Sequence, residues 1–189
     1  MSGFLQEHGG QIARLTLEHV WLTGSAMLFA AGIGLPLGVW LTRHERWSRP
    51  VLGVANVLQT IPSLALFGLL LPVPFLGDRA ARLAIVALTG YALLPILRNT
   101  YAGILAVDPA LIDVSNAIGM SGMQRLMKVE LPMSASVILA GLRTATVTCV
   151  GVASVDNGLV LAGAIPAALL ALCADGVLGF AEKKTVIRR

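Results

Sequence analysis

Residues Val20 to Thr42 read V-W-L-T-G-S-A-M-L-F-A-A-G-I-G-L-P-L-G-V-W-L-T, without an Asp, Glu, Lys or Arg. A stretch of about 20 apolar residues in a helix crosses the hydrocarbon of a bilayer, and this one is too long for the apolar core of a secretory signal. It reads as a retained first membrane span. Further charge-free runs follow at Val51–Gly77, Leu83–Leu97, Leu131–Leu142, Thr144–Val155 and Asn157–Ala174.

The 189 residues are 56% apolar and 13% charged, with a mean hydropathy of +0.80. Soluble domains carry about 25% charged residues, so this chain cannot cover its surface with polar groups. The expected fold is all-α, a polytopic membrane protein of about five transmembrane helices at 20–41, 51–76, 83–106, 132–155 and 158–180. A head (1–19) precedes the transmembrane domain (20–180), which contains a long loop at 108–131, and a basic tail (181–189) ends the chain.

Lys and Arg mark the cytoplasmic side of membrane proteins. Placing the long loop inside collects Arg43, Arg46, Arg49, Arg125, Lys128, Lys183, Lys184, Arg188 and Arg189 on one face, and leaves Arg14, Arg79 and Arg82 outside. The N-terminus is then out and the C-terminus in. The net charge of +4 is thus explained by the membrane, and nucleic-acid binding is not expected. Trp21, Trp40 and Trp47 suit interfacial positions.

Several classes of chemistry lack their residues. Cys149 and Cys173 lie in apolar runs without a CxxC or a Cys/His cluster, so no metal site is expected. His8, His19 and His44 are scattered, which disfavours a catalytic site and an integral membrane enzyme. Lys128, Lys183 and Lys184 do not follow Gly, so no GxxxxGK[ST] phosphate loop exists. Any ATP-driven work requires another subunit.

Gly34-x-x-x-Gly38 lets a neighbouring helix approach closely. Pro62 frees a backbone carbonyl in the second run, and Gln59, Thr60 and Ser63 beside it are candidates either for lining a pathway or for packing between helices. Arg98, Arg143 and Asp175 lie within or near spans, where each charge costs about 2.5–3.5 kcal/mol at the helix centre. Arg143 lies about 16 Å from Pro132 and Asp175 about 12 Å from Lys183 at the helical rise, similar depths on antiparallel helices. They are expected to pair, either to hold the bundle together or to line or gate the pathway.

The long loop is the most informative segment. Asp108-Pro109 is a helix start with an acidic N-cap, and Ala110, Val114, Ala117 and Ile118 then recur at helical spacing. Gly119 and Gly122 break this helix, and a second one is expected to place Met123, Leu126 and Met127 opposite Gln124, Arg125 and Lys128. A Met-rich apolar face suits a partner's groove; an interfacial helix on lipid is the other reading.

The loop resembles the cytoplasmic motif of ABC-transporter permeases of the binding-protein-dependent import class: Glu-Ala-Ala, three residues, Gly, nine residues, Ile, one residue, Leu-Pro. Here Asp113-Val114-Ser115, Gly119, Val129 and Leu131-Pro132 keep that spacing, with Asp-Val-Ser in place of the triplet. The resemblance implies that the loop docks in a cleft of a cytoplasmic ATPase subunit, which uses the ATP. It assigns Asp113 the acidic position, Gly119 the tight turn and Leu131-Pro132 the entry to the fourth span. It also implies a second permease copy or paralogue, an extracytoplasmic substrate-binding protein, a multi-pass location in the bacterial plasma (inner) membrane, and no catalytic residue or bound cofactor in this chain.

Gln59–Leu66, Leu93–Tyr101 and Leu161–Leu172 narrow the resemblance to permeases for osmoprotectants such as glycine betaine, carnitine and choline. A quaternary amine is usually held by a cage of aromatic rings, and none is clustered here, so tight recognition is expected on the binding protein. Members of that group carry an additional Gly- and Ala-rich outer segment where Val152-Ala153-Ser154-Val155 runs directly into Asp156-Asn157-Gly158. An inactive or scaffold-like relative, or an importer permease for another small solute such as an amino acid, are the alternatives.

Overall fold

The computed structural model describes residues 2–74 and 80–153, together with 172, 173, 175–177 and 180. Among the described residues all regular structure is helical: α1 (Ser2–Arg43), α2 (Glu45–Thr60), α3 (Ser63–Leu70), α4 (Ala80–Leu105), α5 (Pro109–Ala117), α6 (Gly122–Arg125), a π turn (Leu126–Glu130) and α7 (Leu131–Ala153). Among these residues three helices are long and apolar enough to cross a membrane, at Arg14–Arg43, Ala80–Leu105 and Gly122–Val152.

The head and the first span share one helix, α1, which starts at Ser2. The expected second span at 51–76 is not one continuous helix. It breaks after Thr60, where Ile61 is extended at ψ 124° and Pro62 follows at ψ 139°. Proline disfavours helical backbone in the residue before it and brings no N–H of its own, so α2 stops and α3 restarts at Ser63. The expected fifth span at 158–180 and the tail at 181–189 lie almost wholly outside the described residues, as does the Val155–Asp156 junction.

The core has a simple origin in small side chains. Ala26, Ala30, Gly34 and Gly38 of α1 recur every fourth residue, so they form one ridge on one face of the helix, and all four are buried. That ridge packs on Leu88, Ala92 and Ile96 of α4. A Cβ added at Gly34 would fall 2.9 Å from Ile96 Cγ2, and one at Gly38 2.7 Å from Thr100 Cβ. An adjacent face of α4 meets α7 in the same manner. Gly141, Ala145 and Cys149 repeat the four-residue spacing, and a Cβ at Gly141 would lie 2.5 Å from Asn99 Cβ and 2.9 Å from the Pro95 carbonyl. Helix α4 is therefore held on two sides by backbones at close range, the packing mode in which small residues substitute for hydrophobic drive.

The outward face of α1 carries large apolar groups instead, with Trp21, Leu28 and Phe29 all exposed. The other two tryptophans, Trp40 and Trp47, are also exposed, and Trp40 stacks on His44 with ring centroids 4.2 Å apart.

Candidate functional site

The connection between α4 and α7 is built from local signals. The Asp108 carboxylate accepts from the Ala110 N–H at 2.9 Å, and Pro109 occupies the first turn of α5, where its missing N–H costs nothing. The helix ends at Gly119, whose φ of +79° lies in the left-handed region that side chains disfavour. The Gly119 N–H reaches the Asn116 carbonyl at 3.0 Å and the Met120 N–H reaches the Ser115 carbonyl at 3.1 Å, the two bonds of a Schellman cap. No other group approaches a Cβ built at Gly119 within 4 Å, so backbone conformation is what demands glycine there.

Gly122 does not break a helix, as the sequence suggested; it opens one. Ser121 and Gln124 form a reciprocal capping box around it, satisfying two N–H groups that a helix start leaves free. Nor is the second loop helix separate, because residues 122–130 continue into α7 without interruption. The ladder widens just before Pro132, with the Leu131 N–H bonding the Leu126 carbonyl five residues back. Pro132 offers no N–H to the Lys128 carbonyl and its ring crowds that turn, which accounts for the widening at this place.

The π turn has a chemical consequence. In an α-helix residues five apart point roughly 140° away from each other, whereas a π turn stacks them. Arg125 and Glu130 are five apart, and the Arg125 Nε donates to Glu130 Oε1 at 2.9 Å. The Arg125 Nη1 also donates to Asn116 Oδ1 at 2.7 Å, and Arg43 at the end of α1 pairs with Glu130 Oε2. Glu130 is only 2% exposed. A carboxylate so enclosed has to be compensated by charge and hydrogen bonds, and the two arginines, themselves reaching solvent at 39% and 20% exposure, provide both.

This cluster was not apparent in the sequence, where Glu130 is merely the free position before Leu131-Pro132 and the two arginines mark a membrane face. The signal was a lone acid flanked by basic residues at the start of a span. The spacing concealed it, because five is not a helical repeat.

Asp113 is exposed and lies on a cavity of about 250 Å³ bounded by Arg43, Ile104, Val107, Ile112 and Glu130. Val114 is exposed, whereas Ser115 is buried and bonds back to the Leu111 carbonyl at 2.6 Å. Val129 and Leu131 are half-buried and Pro132 is exposed. Val114 on α5 and Ile118 just past its end, with Met123 and Met127 beyond the turn, leave most of their surface uncovered at 58%, 66%, 67% and 61%. Leu126 of the expected apolar set is half-buried instead.

Of the candidate residues around Pro62, Gln59 is brought to Tyr91. Pro95 has no N–H for the Tyr91 carbonyl four residues back, and Gln59 Nε2 donates to that carbonyl at 2.9 Å. In return the Tyr91 hydroxyl donates to the Ile61 carbonyl, left over at the end of α2. The carbonyl that Pro95 leaves free and the one that ends α2 are thus satisfied by one reciprocal pair of contacts. Thr60 bonds its own helix at Val57, and Ser63 begins α3.

Arg143 and Asp175 meet as a two-pronged ion pair, with Nη2 donating to Oδ2 at 2.6 Å and Nε to Oδ1. Both side chains are more than a third exposed, at 40% and 34%. Arg98 is exposed.

The model of the family described as binding-protein-dependent transport system inner membrane component matches residues 34–155. The glycine betaine/carnitine/choline transport system permease protein OpuCD of Bacillus subtilis (strain 168) is 39% identical, covering 95% of this chain and 86% of its own length. The osmoprotectant import permease protein OsmW of Salmonella typhimurium is 38% identical, over 93% of this chain and 92% of its own. Among solved structures, the MetNI methionine ABC transporter in inward-facing conformations gives a TM-score of 0.76 at 20% identity, covering 89% of this chain and 93% of that chain. The matched segment contains the end of α1 with Gly34 and Gly38, the whole of α4 and α7, and the loop with its Gly119 turn. The chain belongs to the family of inner-membrane components of binding-protein-dependent transport systems.

Proposed function

We propose that the chain is the transmembrane permease subunit of an ATP-driven importer for quaternary-amine osmoprotectants such as glycine betaine, carnitine or choline. The observation that carries the reading is the loop at 108–131: its apolar groups at Val114, Ile118, Met123 and Met127 are uncovered while its helix starts are capped and its Arg125 and Glu130 are paired. A rigid element with an open Met-containing face fits a groove on a partner, and in this reading the partner is a cytoplasmic ATPase subunit. The solute class follows the names of relatives such as OpuCD and OsmW.

The proposed topology has five spans, the N-terminus out, and the loop and C-terminus in. Two such subunits pair, an extracytoplasmic binding protein delivers the solute, and closure of the ATPases moves the loops as rigid bodies to switch the pathway between faces. This chain binds no nucleotide in that scheme; the ATP is used on the partner.

The test is solute-stimulated ATP hydrolysis by the chain reconstituted with its ATPase and binding protein in liposomes. Stimulation by glycine betaine that disappears with Gly119→Trp supports the reading, and stimulation that survives this substitution sinks it. A second reading, an inactive or scaffold-like relative, is favoured by one observation. The match to OpuCD runs over 201 residues, more than the 189 of this chain, so that relative contains residues this one lacks. Binding of the ATPase without solute transport in the same liposomes is the outcome that selects it.

A further inference from the structure

Glu130 is the one acidic or basic side chain among the described residues that is fully enclosed, and its two oxygens serve different parts of the molecule. Oε1 takes Arg125, which also holds Asn116 near the end of α5. Oε2 takes Arg43, the last residue of α1. The loop is covalently continuous with α4 and with α7, but not with α1. Between the end of α1 and α5 lies the cavity of about 250 Å³, with Thr42 and Arg43 on one side and Ile112 and Asp113 on the other. Packing therefore does not fill the space between them, and the Arg43–Glu130 pair lies on its wall, joining the end of α1 to the π turn.

We propose that Glu130 is a positioning residue that makes α1 move with the loop, through Arg125 and Asn116 on one side and Arg43 on the other. A push on α5 then reaches the first membrane helix directly. Without the link, α1 follows the loop only through apolar packing on its neighbours, such as Leu41 against Leu97 and Tyr101 of α4, and loop movement is spent without a full change at the pathway. The π turn is what makes the link, since it alone stacks Arg125 on Glu130. This inference rests on the reading of the loop as the ATPase-docking element.

The experiment uses the complete transporter, permease with ATPase subunit and binding protein, in liposomes with glycine betaine as solute, and reads solute moved per ATP hydrolysed. Glu130→Gln keeps the size and an acceptor oxygen but removes the charge. It is expected to lower that ratio roughly tenfold, within the range that coupling between distant sites spans, while ATPase co-purification and unstimulated hydrolysis stay within about twofold. Arg43→Gln is expected to do the same and Arg43→Lys, which keeps the charge, to restore the ratio. A purely structural role would lower assembly and hydrolysis together and leave the ratio unchanged. A ratio within about twofold of the unaltered protein in both charge-removing variants overturns the proposal. If Glu130→Gln does not assemble, Arg43→Gln, on a side chain 39% exposed, decides alone. An unaltered transporter without solute-stimulated hydrolysis overturns the transport reading itself, and this inference with it.

Discussion

The three-helix core and the loop between α4 and α7 are assembled by opposite means. In the core, Gly34, Gly38 and Gly141 bring backbones so close that a Cβ at any of them would fall 2.5–2.9 Å from a neighbouring atom, and the large side chains of α1 such as Leu28 and Phe29 are turned outward. In the loop no helix backbone is crowded: Gly119 and Gly122 have open space around them, and order comes from caps and from the paired charges of Arg43, Arg125 and Glu130. The core is thus intolerant of added volume, whereas the loop tolerates volume and responds to charge and to the chemistry of its uncovered face. Added volume in the first region should remove the protein; a charge on the uncovered face of the second should leave it folded and silence it.

The largest effect is expected from Gly141→Val. Overpacking a well-filled interior costs about 1–3 kcal/mol or more, and here the neighbour includes the fixed Pro95 carbonyl, so the variant should lose its monodisperse peak in detergent. Ile118→Asp should preserve that peak and its melting temperature yet weaken ATPase association at least tenfold, about 1.4 kcal/mol, as expected when a charge replaces an anchor on a docking face. A smaller change should follow Gly119→Ala, where a side chain at φ +79° costs roughly 1–2 kcal/mol confined to the turn. It should be read as faster amide exchange around Asn116 to Met120.

Tyr91→Phe removes the hydroxyl that serves the Ile61 carbonyl; a loss of about 1 kcal/mol in unfolding free energy is expected, more if that carbonyl finds no water. The least effect should come from Thr100→Val. The Thr100 hydroxyl is buried without a hydrogen-bond partner, so replacing it by a methyl group of the same shape should leave the melting temperature unchanged or slightly raised. A marked fall would show that the core relies on polar contacts after all, and would blur the distinction between the two regions.

Much of this division was legible in the residues. The charge-free runs located α1, α4 and α7, and Asp108-Pro109 located the start of α5 because capping is a local property of a few adjacent residues. The Gly34–Gly38 pair was visible, but its extension to Ala26 and Ala30 needed the partner face on α4, since alanine is common on every side of a membrane helix. Pro62 signalled trouble in the second run without revealing that Tyr91 and Gln59 would heal both breaks, a contact between residues 32 positions apart.

Glu130 was the least readable of all. Its role depends on a widened turn that changes which residues stack, and helical periodicity presumes the regular one. Arg143 and Asp175 were easier, because two opposite charges at matching depth in apolar helices have few other partners.

The most direct measurement compares the two faces within one protein. A photo-crosslinking amino acid is placed either at Ile118 in the loop or at Leu28 on α1, two exposed apolar positions at 66% and 77%, in vesicles containing the ATPase subunit. Crosslinking to the ATPase from Ile118 and none from Leu28 is the result expected of a loop that docks a motor. No ATPase adduct from Ile118, or equal yields from both sites, would contradict it.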